Sequence, residues 1–304
     1  MRSDGWDARW AAAMAAVAVP DGAEVSVGVL DPVSGVGVRH GDRAFVTASV
    51  VKVGILVALL LEAQDAGRAL TGEERSYAAA MIERSDNDAA SALWRSIGRS
   101  AGLDAAHARL GLTATEGGDG PRWGLTRTTV ADQLLLLRQV FGAPADSRLP
   151  LASRACVREL MERVVPEQAW GVPVVADALP PGGAAWAVKN GWVPRDATGL
   201  WVVNSVGRVT VEGRDLLVAA LSDGSPTMGR GVALVEAAAR AAVSAFTGEA
   251  RRCPEPGRRL TASGEADGAR PGRRVEREGS RVRGRHPGTR GPGAPRRTAP
   301  DPAP

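Results

Sequence analysis

Lysine and asparagine are nearly missing from this chain of 304 residues. Among its 38 basic residues only Lys52 and Lys189 are lysines, and the others are arginines. Arginine does not give up its proton in proteins, so almost all basic residues are excluded from proton transfer. The two lysines are therefore candidates for a proton-transfer group or a compact buried cation. Asparagine occurs three times, at Asn87, Asn190 and Asn204, and two of these lie beside candidate chemistry.

Paired cysteines and long apolar runs are also lacking. Cys156 falls at an apolar helical position and Cys253 in a polar tail, so no disulfide is expected. The longest apolar run, Val50 to Leu61, is shorter than the roughly 20 residues of a membrane-spanning helix. The stretch Trp10 to Val19 follows aspartates and lacks a small-residue cleavage pattern, which favours an amphipathic helix over a signal peptide. Localisation stays open: cytoplasmic as the sequence stands, secreted if the true start lies upstream.

Large apolar residues become scarce after Phe246. Residues 247–304 contain 14 arginines, 7 acidic residues, many glycines and prolines, and no aromatic side chain. Such a segment cannot bury enough surface to fold. The sequence predicts a catalytic domain over residues 1–246 and a disordered Arg/Pro/Gly-rich tail over residues 247–304. An inert extension is expected rather than one that binds nucleic acid or an anionic membrane, because aromatic residues are not interleaved with the arginines. The protein is expected to be a monomer.

Apolar periodicity predicts two strands, a helical block, three strands and a closing helix. This order is typical of one α+β domain in which both ends of the folded chain share a sheet. The predicted strands are 24–30, 36–39, 186–193, 200–211 and 216–221, and the predicted helices are 49–61, 75–83, 86–97, 126–141, 151–164 and 229–246.

Ser49 and Lys52 open the most apolar of these helices. Being three residues apart, they lie on one face of its first turn. A helix N-terminus favours negative charge on a serine oxygen, and burial lowers the pKa of a lysine amine so that it can accept a proton. The pattern indicates Ser49 as nucleophile and Lys52 as its base. The alternative is a serine N-cap and a lysine that extends out of a core helix.

Ser85-Asp86-Asn87 precedes the helix predicted over residues 86–97. Such a cluster is typical of a helix N-cap, which is one interpretation. In the other, Ser85 passes a proton to a leaving nitrogen, and the Asn87 amide holds Lys52 or a substrate carbonyl.

Lys189-Asn190-Gly191-Trp192 lies inside an apolar strand pattern. Asn-Gly is a strong hairpin signal, so a tight turn is one interpretation. If the strand continues and Lys189 points inward, it places a cation beside the two serines, where it can bind a substrate carboxylate and lower their pKa.

Ser-x-x-Lys, Ser-Asp-Asn and Lys-x-Gly occur here in the order known for class A β-lactamases and penicillin-binding proteins. The chain resembles the serine β-lactamase superfamily, and class A most closely, over about residues 5–246. The likeness also includes 27–31, 81–82, 128–129, 151–154 and 224–228.

The resemblance implies a β-lactamase-like two-lobed α+β fold, with a five-stranded antiparallel sheet, flanking helices and an all-helical lobe. It implies that a β-lactam or a peptidoglycan-like amide acylates Ser49, that Lys52 is the base and that Ser85 protonates the departing nitrogen. Neither a metal nor an organic cofactor is implied.

The resemblance also assigns the substrate contacts. Asn87 and Lys189 would hold the substrate together with the Asn190-Gly191-Trp192 segment, and the backbone N–H groups of Ser49 and Trp192 would form the oxyanion hole.

Two departures from class A bear on turnover and recognition. Asn190 stands where the family has a hydroxyl residue, which affects recognition of a substrate carboxylate. The Glu-x-x-Leu-Asn loop that supplies the deacylating base does not occur between Ala101 and Thr129. Glu116 is the one glutamate in that stretch and the only candidate for this base.

The leading hypothesis is a β-lactamase-like serine hydrolase whose activity is β-lactam hydrolysis. The alternatives are a D,D-peptidase, penicillin-binding-protein-like enzyme or esterase with poor deacylation, and a non-hydrolytic domain that binds β-lactams or peptidoglycan.

Overall fold

The computed structural model describes residues 4–177 and 185–250 of the chain. Within these ranges the chain forms eight α-helices and seven β-strands. The helices are α1 (Asp4–Ala15), α2 (Val51–Asp65), α3 (Gly72–Glu83), α4 (Asn87–Ser96), α5 (Arg99–Leu110), α6 (Val130–Phe141), α7 (Leu151–Glu162) and α8 (Met228–Ala250). The strands are β1 (Glu24–Leu30), β2 (Gly37–His40), β3 (Phe45–Val46), β4 (Arg127–Thr128), β5 (Trp186–Pro194), β6 (Trp201–Val211) and β7 (Arg214–Ser225).

Five strands form an antiparallel sheet in the order β2-β1-β7-β6-β5. Strand β1 pairs with β7, so the two ends of the folded chain share this sheet as predicted. A two-residue turn, Glu212-Gly213, joins β6 to β7, and both of its residues have positive φ, as this tight hairpin requires. The predicted α+β fold with a five-stranded antiparallel sheet is confirmed.

Helices α1 and α8 cover one face of the sheet. Trp6, Trp10 and Met14 bury the apolar side of α1 there, so a first helix packs on the sheet, although it covers Asp4–Ala15 rather than the predicted Trp10 to Val19. Helix α8 continues four residues beyond Phe246, into the segment predicted as tail. The rest of that predicted tail, from residue 251, lies outside the described residues. None of the helices in the described ranges is long and apolar enough to cross a membrane.

The other face of the sheet meets the helical lobe, with α2 at its centre. Twelve of the 15 residues of α2 are buried, so the predicted buried helix is confirmed. Its first turn differs from the prediction, because Ala48–Val50 forms a 3₁₀ turn before α2 begins at Val51. Ser49 therefore lies on a tight turn rather than inside the α-helix.

Two regions of the helical lobe differ from the sequence prediction. Helix α5 was not predicted, because alanine, glycine and charged residues dominate it and its buried side is narrow. Helix α6 begins at Val130 rather than Thr126, since Thr129 caps it by accepting a hydrogen bond from the Asp132 N–H. The preceding residues form β4, which pairs with β3 in a small second sheet.

Candidate active site

The turn that bears Ser49 is strained and tightly held. Ala48 has φ of +46°, a left-handed conformation that is uncommon for a residue with a Cβ. The Thr47 N–H donates to the Thr126 carbonyl at 2.8 Å. The surrounding backbone therefore fixes this conformation and directs the half-buried Ser49 toward a cleft.

Asn204, the third asparagine, anchors the same turn from β6. Its amide nitrogen donates to the carbonyls of Val46 and Thr47 at 2.8 and 3.0 Å, and its Oδ1 accepts from the Ser222 N–H at 3.1 Å. The side chain is fully buried. Sequence reasoning gave Asn204 no role, and its rarity within an apolar strand was the only available signal.

Lys52 is fully buried and its amine is held by the Ser85-Asp86-Asn87 segment. The Nζ donates to the Ser85 carbonyl at 2.6 Å, to Ser85 Oγ at 3.1 Å and to Asn87 Oδ1 at 2.8 Å. Burial lowers the pKa of Lys52 to about 7, against the opposing charge of Asp86. A substantial fraction of this amine is therefore neutral near neutral pH, in the direction predicted from its apolar neighbours.

Asp86 is the residue that caps α4. Its carboxylate accepts from the Ala89 N–H at 2.7 Å. The N-cap interpretation of this segment therefore holds for Asp86, and the side chains of Ser85 and Asn87 contact Lys52 instead.

Lys189 reaches the same serine from β5. Its Nζ donates to Ser85 Oγ at 3.0 Å and to the Asn190 carbonyl at 3.1 Å. Burial, and then the nearby charge of Lys52, hold the pKa of Lys189 well below its usual range. Ser85 Oγ therefore bridges two amines that lose protons readily, an arrangement that can move a proton from one to the other.

Ser49 and Lys52 are not directly hydrogen-bonded. Within the described residues the Ser49 side chain makes no hydrogen bond, and the Lys52 amine is turned toward Ser85 and Asn87. Direct proton transfer from Ser49 therefore requires the lysine side chain to move. Catalytic hydrogen bonds in ligand-free sites are often long and tighten when substrate binds.

The edge of β5 packs directly against the Ser49 turn. A Cβ on Gly191 would lie 2.6 Å from the backbone nitrogen of Ser49, so only glycine permits this approach. Trp192 follows and lines the same cleft as Ser49. The two residues predicted to supply the oxyanion hole thus face one cleft.

The structure does not bring Asn190 into the cleft, which corrects its expected contact with substrate. Neighbouring strand residues point to opposite faces, so the Asn190 side chain lies on the other side of β5 from Lys189. Its amide donates to the carbonyls of Gln168 and Trp170, both at 2.8 Å, and fixes the preceding loop. The hairpin interpretation is also wrong, because Asn190 and Gly191 pair with β6 in the middle of the strand.

The cleft has a volume of about 340 Å³ and two aromatic walls. Trp192 forms one wall and Trp123 the other. The Trp123 ring lies over Lys52, with 4.8 Å between the ring centroid and Nζ. Sequence reasoning missed Trp123, which follows a glycine-rich loop without apolar periodicity. The remaining lining residues are Ala48, Ser49, Asn87, Pro121, Arg122, Gly124, Leu125 and Val193.

Comparison with known proteins agrees with this geometry. The profile of the family described as Beta-lactamase enzyme family matches residues 73–246, more than half of the chain. The chain belongs to the β-lactamase enzyme family. It is therefore a member of the serine β-lactamase and penicillin-binding protein superfamily, as its motifs predicted.

Relatives of this β-lactamase-family chain are distant in sequence. The "Putative lipoprotein LppW" of Mycobacterium tuberculosis is 30% identical over 210 residues. That alignment covers 65% of this chain and 62% of the relative, so the chain spans less than two thirds of the curated protein's length.

Two solved structures show the shared β-lactamase fold. The TLA-1 extended-spectrum β-lactamase superposes with a TM-score of 0.67 at 15% identity, covering 80% of this chain and 99% of the other. An acyl-enzyme complex of a PBP-A point mutant with penicillin G gives a TM-score of 0.65 at 21% identity, covering 80% of this chain and 97% of the other.

The region of this β-lactamase-family chain where a deacylating base was expected contains Glu116. Glu116 is exposed and lines a neighbouring depression with Asp119, and its backbone pairs with Arg127. The structure thus does not bring Glu116 to Ser49, and no residue lining the cleft is an aspartate or glutamate. The described residues also contain no cluster of three or more potential metal ligands.

Proposed function

We propose that this protein is a serine hydrolase that β-lactams or related amides acylate at Ser49, and that it releases the acyl group slowly. The observation that carries this proposal is the buried network Lys52–Ser85–Lys189 beside a serine on a strained turn. Family membership supports acyl transfer, and the cleft without a carboxylate favours a long-lived acyl-enzyme over rapid β-lactam hydrolysis.

Acylation begins when Ser49 Oγ attacks the carbonyl carbon of the substrate and the neutral Lys52 amine takes the serine proton. Backbone N–H groups of Ser49 and Trp192 stabilise the negative oxygen of the tetrahedral intermediate. Ser85 then donates its proton to the departing nitrogen and is reprotonated by the Lys52 ammonium. The product is a Ser49 ester: a β-lactam keeps its amine attached to the opened acyl group, whereas an open-chain amide releases a free amine.

The remaining residues position this reaction. Asn87 holds the Lys52 amine and also lines the cleft, where its amide can bind a substrate carbonyl. Lys189 is almost fully buried and its Nζ donates to Ser85 Oγ, and in its protonated form it attracts an anionic substrate and stabilises the alkoxide forms of the serines.

Intact-protein mass spectrometry after mixing with a penicillin tests this function. We expect the wild type to gain the mass of one penicillin and to keep it for minutes or longer. Ser49→Ala, which lacks the nucleophile, should show no gain at any time.

Each other outcome of that time course has a definite meaning. An adduct that forms and decays within seconds would identify an efficient β-lactamase. An adduct on Ser49→Ala would exclude Ser49 as the nucleophile. No adduct on either protein would favour an esterase with another substrate or a non-hydrolytic binding domain.

Acylation should also depend on pH through Lys52. Because the pKa of Lys52 is lowered to about 7, the neutral base is scarce below pH 6 and predominates above pH 8. We expect the second-order rate constant of acylation to rise about tenfold per pH unit below pH 7 and to level off above it. Rate measurements between pH 5 and 9 check this, and a flat profile would contradict a lysine base.

A further inference from the structure

Trp123 covers the catalytic amine on the side of the cleft. Its ring centroid lies 4.8 Å from Lys52 Nζ, and its Nε1–H donates to Ser91 Oγ at 3.1 Å. This second contact ties the indole to α4, the helix that also carries Asn87. The ring is therefore held in place over the lysine.

The Lys52 amine has no position left for water. Its three hydrogen-bond positions are taken by the Ser85 carbonyl, Ser85 Oγ and Asn87 Oδ1, where the neutral amine donates two of the bonds and can accept one from the Ser85 hydroxyl, and the indole face covers the amine from the cleft. The lysine side chain is 0% exposed. A water molecule that enters the cleft thus meets an aromatic surface where it would need a base.

We propose that Trp123 sets the lifetime of the acyl-enzyme by keeping water away from Lys52. The inference rests on the proposed function, since it concerns the ester that acylation leaves on Ser49. Trp123 is thus a positioning residue: with its indole in place the acyl-enzyme persists, and without it the acyl-enzyme is hydrolysed.

The step that Trp123 suppresses is ordinary ester hydrolysis. A water oxygen would attack the carbonyl carbon of the Ser49 ester while the neutral Lys52 amine takes the water proton. The bond between that carbon and Ser49 Oγ would then break, and Lys52 would return the proton to the serine oxygen. The acyl group would leave as a carboxylic acid, and no other reactant is required.

None of the residues that line the cleft is a carboxylate that could replace Lys52 as the base for this water. Glu116 and Asp119 line a neighbouring depression, which shares Arg122 and Leu125 with the cleft. Asp86 is engaged in capping α4. The lysine that Trp123 shields is therefore the cleft's available base for deacylation.

The test is the decay of the penicillin adduct on the full-length Trp123→Ala protein, after excess penicillin is removed. We expect the deacylation rate constant to rise at least tenfold over the wild type. Trp123→Phe keeps an aromatic face over the lysine and should stay within about threefold. Trp201→Ala removes a partly buried tryptophan that does not line the cleft, and it should not accelerate decay.

The pH profile of acylation is a second readout, which distinguishes shielding of Lys52 from water by Trp123 from a general loosening of the cleft. Burial is the main cause of the low pKa of Lys52, while the opposing charge of Asp86 acts on it in both proteins. Removing the indole admits water and should raise this pKa. The pH profile of acylation should therefore move to higher pH in Trp123→Ala and stay unchanged in Trp123→Phe.

Ser91→Ala supplies an independent variant in case Trp123→Ala does not fold, because it loosens the indole without removing it. We expect a smaller rise in deacylation with the melting temperature nearly unchanged. Adducts that form and decay at the wild-type rate in folded Trp123→Ala, or in Ser91→Ala if only that variant folds, would overturn this inference alone. The absence of any adduct on the wild type would overturn the proposed function, and this inference with it.

Discussion

Lys52→Arg should slow acylation of Ser49 by about 10² to 10⁴-fold, the usual contribution of a general base. The arginine keeps a positive charge at this position but cannot accept the serine proton. The loss should be largest above pH 7, where the wild-type lysine is neutral, and the variant's own rate should not follow the wild-type rise with pH because no lysine titration remains. Adduct formation with a penicillin, followed by intact mass over hours, measures the loss.

A matched variant separates proton transfer from packing. Arginine is larger than lysine, and position 52 is fully enclosed, so Lys52→Arg is expected to lower the melting temperature as well. Lys52→Met has nearly the shape of lysine without its amine, and it should lose acylation to the same extent. Acylation within tenfold of the wild type in either folded variant would remove Lys52 from the role of base.

The scarcity of lysine in this chain singled out Lys52 and Lys189 as candidate site residues, for a chemical reason. In a chain that uses arginine almost everywhere, a lysine is retained where its smaller, titratable amine is required. Both lysines meet at Ser85 Oγ, from positions 137 residues apart in the sequence. The order of the three motifs was enough to predict that these residues lie together.

Trp123 and Asn204 were beyond sequence reasoning for different physical reasons. Trp123 lies in a short 3₁₀ turn, where no helical or strand period indicates which side chain faces the cleft. The role of Asn204 depends on how closely β6 approaches the carbonyls of Val46 and Thr47, a tertiary distance that local pattern does not encode. Asn190 was predicted to contact substrate because it lies between Lys189 and Gly191 in the motif. Side chains alternate along β5, so its side chain points to the opposite face from Lys189.

The fold was more predictable than the site. Strands with continuous apolar runs, such as β6 and β7, were found with errors of a few residues at their ends. Helix α5 was missed because its buried side consists of few apolar residues, Leu103 and Leu110 among them, and intrinsic helix signals without a wide apolar face are weak. Helices of this kind form because neighbouring helices cover them.

Gly191→Ala should reduce acylation by about 10² to 10³-fold, the cost of losing one oxyanion-hole donor. The added Cβ would lie 2.6 Å from the Ser49 nitrogen and 2.7 Å from the Thr47 oxygen. Both are backbone atoms, so no side-chain rotation can relieve the contact. Either β5 or the Ser49 turn must move, and the turn cannot move without losing the hydrogen bonds from Asn204.

A glycine-to-alanine substitution at a position that does not line the cleft provides the control. Gly229, near the start of α8, has open space around its Cβ position and no positive φ, so Gly229→Ala should leave both acylation and melting temperature near the wild-type values. Gly191→Ala should also lose about 1–3 kcal/mol of unfolding free energy through overpacking, so its acylation is measured below the melting temperature of the variant. If Gly191→Ala were acylated at the rate of Gly229→Ala, the edge of β5 would not set the geometry of Ser49, and the oxyanion hole would have to be sought in another part of the cleft.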